Sequence, residues 1–289
     1  MAGKTALAAT VAILSVFLDF AGGEDARAQE RVTMPLTIDG EQVRLATIIY
    51  RPVGIGPFPV LIFHHGSSGG GRNPSTFSWA YDPQPLAHWF VERGYAVALP
   101  QRRGRGGSEG VYDEGFAADR SKGYTCEPER SLAGAEHALR DIDAVTTALL
   151  DQPFIDRTRF LVGGNSRGGI LAVAWAGRHP DLPRGVVNFV GGWLGTFCTT
   201  ASTVNQRLFA MGGAFHQPTL WLYGNHDPLY SIDHSRLNFE RFQAAGGSGS
   251  FHVIEEPAAE NGHLIDRLDT LWSGPVDAYL AGLGLPHGK

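Results

Sequence analysis

Three consecutive stretches constrain the fold most: "PVLIFHH" (59–65), "PLAHWFVERG" (85–94) and "YAVALP" (95–100). The outer two are unbroken apolar runs, too short for ordinary helices. The middle one has helical spacing and stops at Gly94. A strand with no polar face is buried on both sides, which is the environment of a parallel sheet covered by helices. The pattern then repeats. "LAGAEHALRDIDAVTTALLD" and "GGILAVAWAGRHP" read as helices around the strand "RFLVGG". "GVVNFVGG", "PTLWLYG" and "FHVIEE" read as further strands, with the helix "SRLNFERFQAAGG" between the last two. The closing helix, "LIDRLDTLWSGPVDAYLAG", is expected to break at Gly274-Pro275. Ahead of all this, "RVTMPLTIDGEQVRLATIIYRP" alternates apolar and polar residues about Asp39-Gly40, the signature of a hairpin with a two-residue turn. The expectation is an α/β domain of about eight strands, mostly parallel, with an antiparallel N-terminal hairpin and helices on both faces.

The 289 residues carry 43% hydrophobic side chains, enough for one large core, and neither a repeat nor a linker divides them. Net charge is -5 and no run of Lys or Arg occurs, so nucleic-acid binding has no electrostatic support. Residues 1–28 read as a cleaved secretory leader. Lys4 precedes an apolar stretch from Ala6 to Leu18, which is too short to span a bilayer, and Ala26-Arg27-Ala28 is a small-residue cleavage site. The mature chain is expected to start at Gln29, as a single domain over 29–289 in an exported protein with no membrane span. Export permits a disulfide between Cys126 and Cys198, the only two cysteines. One pair is no metal site.

Two long Gly-rich segments, 67–84 and 101–130, interrupt the alternation. Each follows a strand, so each falls at the carboxyl edge of the sheet, where open α/β folds bind ligands.

The pattern G-x-S-x-G occurs three times, around Ser68, Ser108 and Ser166. A nucleophilic serine of this kind needs a strand before it and a helix after it. "QRRGRGG" before Ser108 is not a strand, and "GGGRNPS" after Ser68 cannot open a helix. Only Ser166 has both, in "RFLVGGNSRGGILAVAWAGR". The competing reading of that segment is a Gly-rich phosphate-binding turn. A serine hydroxyl also needs a base, and the base an orienting acid. Asp227 follows the strand "PTLWLYG", and His263 follows the last strand in "NGHL". That gives the chain order Ser, Asp, His. Glu255 and Glu256 are alternative acids; His226, His234 and His252 are less well placed as bases. The oxyanion donors expected are the backbone N–H of Arg167 and of Ser67, the latter in "HHGSSGGG".

With these residues in place, the chain resembles the α/β-hydrolases, in particular dienelactone-hydrolase-like and prolyl-oligopeptidase-like serine esterases and peptidases. "HHGSSGG", "RRGRGGSEG", "GNSRGG", "GNHDP" and "NGHL" carry the resemblance, over roughly residues 40–285. It implies a Ser166–His263–Asp227 triad, no cofactor and a small-molecule ester substrate; a serine peptidase and a non-catalytic binding protein are the alternatives. Ser166 stands where cysteine-nucleophile dienelactone hydrolases have Cys, which argues against a dienelactone substrate. The spacing between "GVVNFVGG" and "PTLWLYG" leaves room for one short helix and no large cap. The active-site loops are then 66–84 and 101–130, the second a candidate small lid, which a Cys126–Cys198 disulfide would pin. Trp79, Tyr81, Tyr112, Tyr124, Trp193 and Phe197 form a candidate aromatic rim, with Tyr112, Tyr124 and Trp193 the candidates for contact with substrate. Arg102, Arg103 and Arg167 are candidate carboxylate ligands or surface arginines. Oligomeric state is not specified by these features.

Overall fold

Strands β1 (Ala28–Ile38) and β2 (Glu41–Arg51) pair antiparallel, with Ile38 opposite Glu41. Asp39 and Gly40 form the whole turn, at φ of 55° and 82°. Positive φ at both central residues matches the right-handed twist of the flanking strands, which is why an Asp-Gly pair closes this hairpin. The computed structural model describes residues 28–257 and 260–288. The expected leader lies outside the described residues, apart from the backbone of Ala28 at its end.

Six parallel strands extend the sheet: β3 (Phe58–His64), β4 (Ala96–Pro100), β5 (Ile155–Asn165), β6 (Gly185–Phe189), β7 (Thr219–Gly224) and β8 (Gly249–Ile254). Their order is β1-β2-β4-β3-β5-β6-β7-β8, with β2 antiparallel to β4. Leu61, Ile62 and Phe63 are fully buried. Each such side chain contributes ~1.5–3 kcal/mol by leaving water. Helices α2 (Pro128–Leu150), α3 (Arg167–Arg178), α4 (Ala201–Met211) and α5 (Ile232–Ala244) pack successively on one another. Helices α1 (Gln84–Glu92) and α6 (Asp269–Gly282) form a second group. The segment between β6 and β7 holds only α4 and a short 3-10 turn, with no large cap.

The closing helix departs from expectation. α6 runs through Pro275 without a break, and the interruption comes earlier, at Leu268, between the 3-10 turn Gly262–Arg267 and α6. Trp272, Val276 and Leu280 lie on one face and are all fully buried. Their packing outweighs the one hydrogen bond that the proline removes.

The chain leaves β3 through α1 to β4 on one side and returns through α2 to β5 on the other. β3 and β5 are therefore neighbours at a topological switch point, where a crevice opens beyond the strand ends. The long loops after β3 and β4 overhang it. Part of the 101–130 segment is a packed wall: Arg102, Arg103, Arg105 and Glu114 are all buried. A disulfide joins its Cys126 to Cys198, just ahead of α4, across 72 residues. Closing a loop of that length restricts the unfolded chain far more than the folded one. Breaking the bridge, by reductant or by Cys126→Ser with Cys198→Ser, should lower stability by about 2–4 kcal/mol. Urea unfolding of the oxidised and reduced protein measures this directly.

Candidate active site

Ser166 sits on the turn between β5 and α3 at φ 55° and ψ -120°. Non-glycine residues hold such a conformation only when their surroundings enforce it. Here the enforcement is steric. A Cβ added to Gly168 would lie 1.9 Å from the His64 carbonyl oxygen, and one on Gly164 2.3 Å from the Gly168 carbonyl carbon. These two glycines let α3 start directly over the ends of β3 and β5. The Ser166 N–H donates to the Phe189 carbonyl, and the Ser166 carbonyl accepts from Gly169 and Gly192. The residue is only 3% exposed, yet it lines the main cavity.

Asp227 and His263 meet in the loops after β7 and β8. His263 Nδ1 is 2.9 Å from Asp227 Oδ2. Asp227 Oδ1 accepts from the backbone N–H groups of Leu229 and Tyr230, so the carboxylate is fixed on both oxygens. With Nδ1 committed, Nε2 is the ring nitrogen left to exchange a proton with a substrate or a serine. His263 lines the same cavity as Ser166.

The rival residues do other work. Buried Glu256 accepts from the backbone N–H groups of Asn225 and His226 and faces the His226 ring, which shapes the turn carrying Asp227. His234 bonds Asn205, and His252 bonds Ser250. The Ser108 hydroxyl bridges the Gln101 carbonyl and the Ala46 N–H, so it is a structural turn residue. The Ser68 carbonyl accepts from Gly71 in the turn after β3.

Ser67 lines the cavity opposite the start of α3. Arg167 is the first residue of α3, whose leading N–H groups have no intrahelical acceptor. The loop bearing Ser67 is anchored from beneath by His65. The Arg102 N–H donates to His65 Nε2, so Nδ1 carries the proton and donates to the Gly66 carbonyl. Burial, reinforced by the charges of Arg102 and Arg105, holds the His65 pKa well below the usual imidazole range. Burial and then Arg102 push His64 down to about 3. Both histidines of "HHG" are thus neutral structural groups. Among the described residues, no group of three or more His, Cys, Asp and Glu is placed to hold a metal ion.

Sequence reasoning missed two residues that line the cavity with Ser166. Tyr230 lines the same cavity as Ser166, and its ring lies 5.5 Å from that of His263. Burial raises its pKa, so it stays a neutral phenol. Asp266 accepts from Tyr81 at 2.6 Å and from Asn165 at 3.0 Å, linking the histidine loop to the serine turn. Burial raises the Asp266 pKa, against the opposing hydrogen bond from Tyr81. The one signal for Asp266 was its position three residues after His263, on a short helical turn.

The main cavity has a volume of about 570 Å3. Tyr124, Trp193 and Phe197 line it, and Trp79 stands exposed on an adjoining cavity of about 500 Å3. Tyr112 is a correction. It lies outside the lining, 3% exposed, and its hydroxyl donates to Glu114 at 3.0 Å. Of the two expected readings of the arginines, the surface one is overturned. Arg102, Arg103 and Arg167 are all buried, none of them a surface residue. Arg103 pairs with Asp141 at 2.6 Å and Arg102 with Glu114 at 2.5 Å. The Arg167 guanidinium is clamped between the rings of Tyr124 and Trp193, at 3.9 and 4.2 Å, and donates to the Glu114 carbonyl. Glu114 loses solvation by burial, but Arg102, Arg167 and Arg105 outweigh that loss and hold its carboxyl below the usual range.

Comparison with known proteins agrees with this architecture. Residues 39–127 match the X-Pro dipeptidyl-peptidase (S15) family, and residues 84–217 match the prolyl oligopeptidase family. No curated protein matches the sequence. Among solved structures, an esterase from Pyrococcus furiosus aligns with 88% of this chain and 90% of its own, at TM-score 0.60 and 15% identity. A Klebsiella pneumoniae protein assigned as a dienelactone hydrolase aligns over 89% and 99%, at TM-score 0.57 and 17% identity. An acylaminoacyl peptidase from Pyrococcus horikoshii aligns over 92% of this chain but 43% of its own, at TM-score 0.57 and 14% identity.

Glu114 offers a test of the charged wall. Its folded-state pKa is depressed, so its contribution is complete above the ordinary glutamate range and is lost as pH falls through the folded value. Glu114→Gln should cost ~3–5 kcal/mol at neutral pH by stranding the arginines around it. Chemical denaturation across pH should show the gap between wild type and variant narrowing in acid.

Proposed function

We propose that this chain, an α/β-hydrolase by fold, is an exported serine hydrolase that cleaves carboxylic esters of small molecules. The observation that carries the reading is the convergence on one cavity of a serine at φ 55° and a histidine held by a buried aspartate at 2.9 Å.

In the proposed reaction Ser166 Oγ attacks the ester carbonyl carbon while His263 Nε2 takes its proton. Asp227 keeps His263 in the tautomer with the proton on Nδ1 and stabilises the imidazolium that forms. The negative charge that develops on the carbonyl oxygen is held by the backbone N–H groups of Arg167 and Ser67. The positive end of α3 adds to that field. Collapse of the intermediate breaks the bond to the alcohol oxygen, which receives the proton from His263. Water then repeats the sequence on the acyl-enzyme, giving its proton to His263 and releasing the acid and free Ser166.

Peptide-bond cleavage is the second reading. It is favoured by the matches to the two peptidase families and by the fold likeness to an acylaminoacyl peptidase. Export accords with the leader-like N-terminus and the disulfide.

A fluorophosphonate should label the protein on the peptide containing Ser166, and label elsewhere would refute the assignment. Ser166→Ala should lower kcat for 4-nitrophenyl acetate by roughly three orders of magnitude or more. A parallel panel of aryl esters and aminoacyl amides distinguishes esterase from peptidase.

A further inference from the structure

His263 follows β8 and Ser166 follows β5, three strand positions away in the sheet. At the usual spacing of neighbouring strands that separation is about 14 Å, so the strands alone do not bring the histidine to the serine. The contact with Asp227 fixes the His263 ring against the loop after β7. The contacts that join its loop to the serine turn come from two side chains outside the candidate triad. Asn165, the last residue of β5, donates from Nδ2 to Asp266 Oδ1 at 3.0 Å. The same Nδ2 lies 3.4 Å from the His263 carbonyl oxygen. Asn165 is thus the covalent neighbour of Ser166 and the hydrogen-bonded neighbour of two residues on the turn that carries His263.

The other oxygen of Asp266 accepts from the Tyr81 hydroxyl at 2.6 Å. Tyr81 is itself a fixed point. The Gln101 side chain holds both its backbone N–H and its carbonyl, and its ring stacks on Phe63 of β3. Asp266 therefore ties together the loops after β3, β5 and β8, and it is only 1% exposed. A carboxylate buried between two uncharged donors is a poor source of net stability, because desolvation offsets the hydrogen bonds it gains. Burial raises its pKa accordingly, against the Tyr81 bond and the charges of Arg267 and His263. An apolar side chain would fill the same space but would hold neither donor. What the carboxylate supplies is one acceptor oxygen for each of two loops, at the point where both meet the histidine turn.

We propose that Asp266 is a positioning residue: through Asn165 it sets the His263 loop against the Ser166 turn, so that the imidazole reaches the serine hydroxyl without a further ordering step. It acts through Asn165 and the histidine turn, and it takes no proton in the reaction. This rests on the hydrolase reading above. Small displacements between a base and its nucleophile are costly, on the order of 100-fold in rate for about 1 Å.

Exchanging the two groups tests it. Asn165→Asp sets a second carboxylate against Asp266 and turns the hydrogen bond into a repulsion. Its kcat for 4-nitrophenyl acetate should fall by about tenfold or more while KM stays within about threefold of wild type. Adding Asp266→Asn reverses the direction of the bond: the introduced amide donates to the introduced carboxylate and still accepts from Tyr81. The double variant should recover kcat to within about threefold of wild type, which general damage to the fold would not allow. Asn165→Ala removes the amide without adding a charge. It should show the same split between kcat and KM, and it serves if Asn165→Asp does not fold. Full activity in both single variants, a loss confined to KM, or a loss in Asn165→Asp that Asp266→Asn does not recover overturns the proposal. A wild-type protein that neither cleaves the ester nor takes a fluorophosphonate counts against the hydrolase reading instead. The clamp is then read directly by amide hydrogen exchange over Gly262–Arg267. Exchange there should be faster in the single variants than in wild type and slow again in the double variant, and exchange unchanged in the single variants overturns the clamp.

Discussion

The structure depends on how closely α3 approaches the ends of β3 and β5. At Gly168 there is no room for a side chain, because the His64 carbonyl occupies the place of a Cβ. That approach does three things at once. It drives Ser166 into a positive-φ conformation that projects its side chain towards the crevice. It aims the unpaired N–H groups at the start of α3 towards the same crevice. It also sets the loop after β3 against the serine, since Gly66 abuts Ser166. Displacing this contact would separate the serine, the helix terminus and the Ser67 loop together.

Around that contact the protein has built a charged shell of unusual density. Neutral His65 fastens the Ser67 loop to the 101–130 segment, and Arg102 fastens both to Glu114. Arg167 does the same from α3, clamped by Tyr124 and Trp193. The disulfide ties the far end of the segment to the loop before α4. The Gly-rich stretch read as a candidate small lid is therefore tied to the rest of the fold at both ends. Rigidity there keeps the cavity shape set in advance, so little ordering is left for a substrate to drive. Buried ion pairs are poor sources of net stability, since desolvation offsets most of the attraction. Their value here is position: they fix the Ser67 loop and the start of α3 to one wall.

Much of the architecture was legible along the chain because it rests on local pattern. Continuous apolar runs marked β3 to β8, and Asp39-Gly40 marked the hairpin. "RFLVGGNSRGGILAVAWAGR" separated Ser166 from its two look-alikes by the need for a strand before and a helix after. The order Ser166, Asp227, His263 follows from which strand each residue terminates. What failed had no local signal. Pro275 suggested a break that the buried face of Trp272, Val276 and Leu280 overrides. Tyr112 looked like a rim aromatic, but its hydroxyl turns inward to Glu114.

By itself, then, the sequence determined the sheet, the strand ends that carry each candidate residue, and the serine turn. Periodicity and glycine spacing encode those within a few neighbouring residues. Only the tertiary structure decided which side chains touch. It set the 2.9 Å contact of Asp227 with His263, 36 residues apart. It brought the Tyr230 ring against His263, and it placed three arginines around one glutamate. Those contacts depend on burial and on loops from different strands converging at one edge, and charge balance in a buried wall is a property of that convergence.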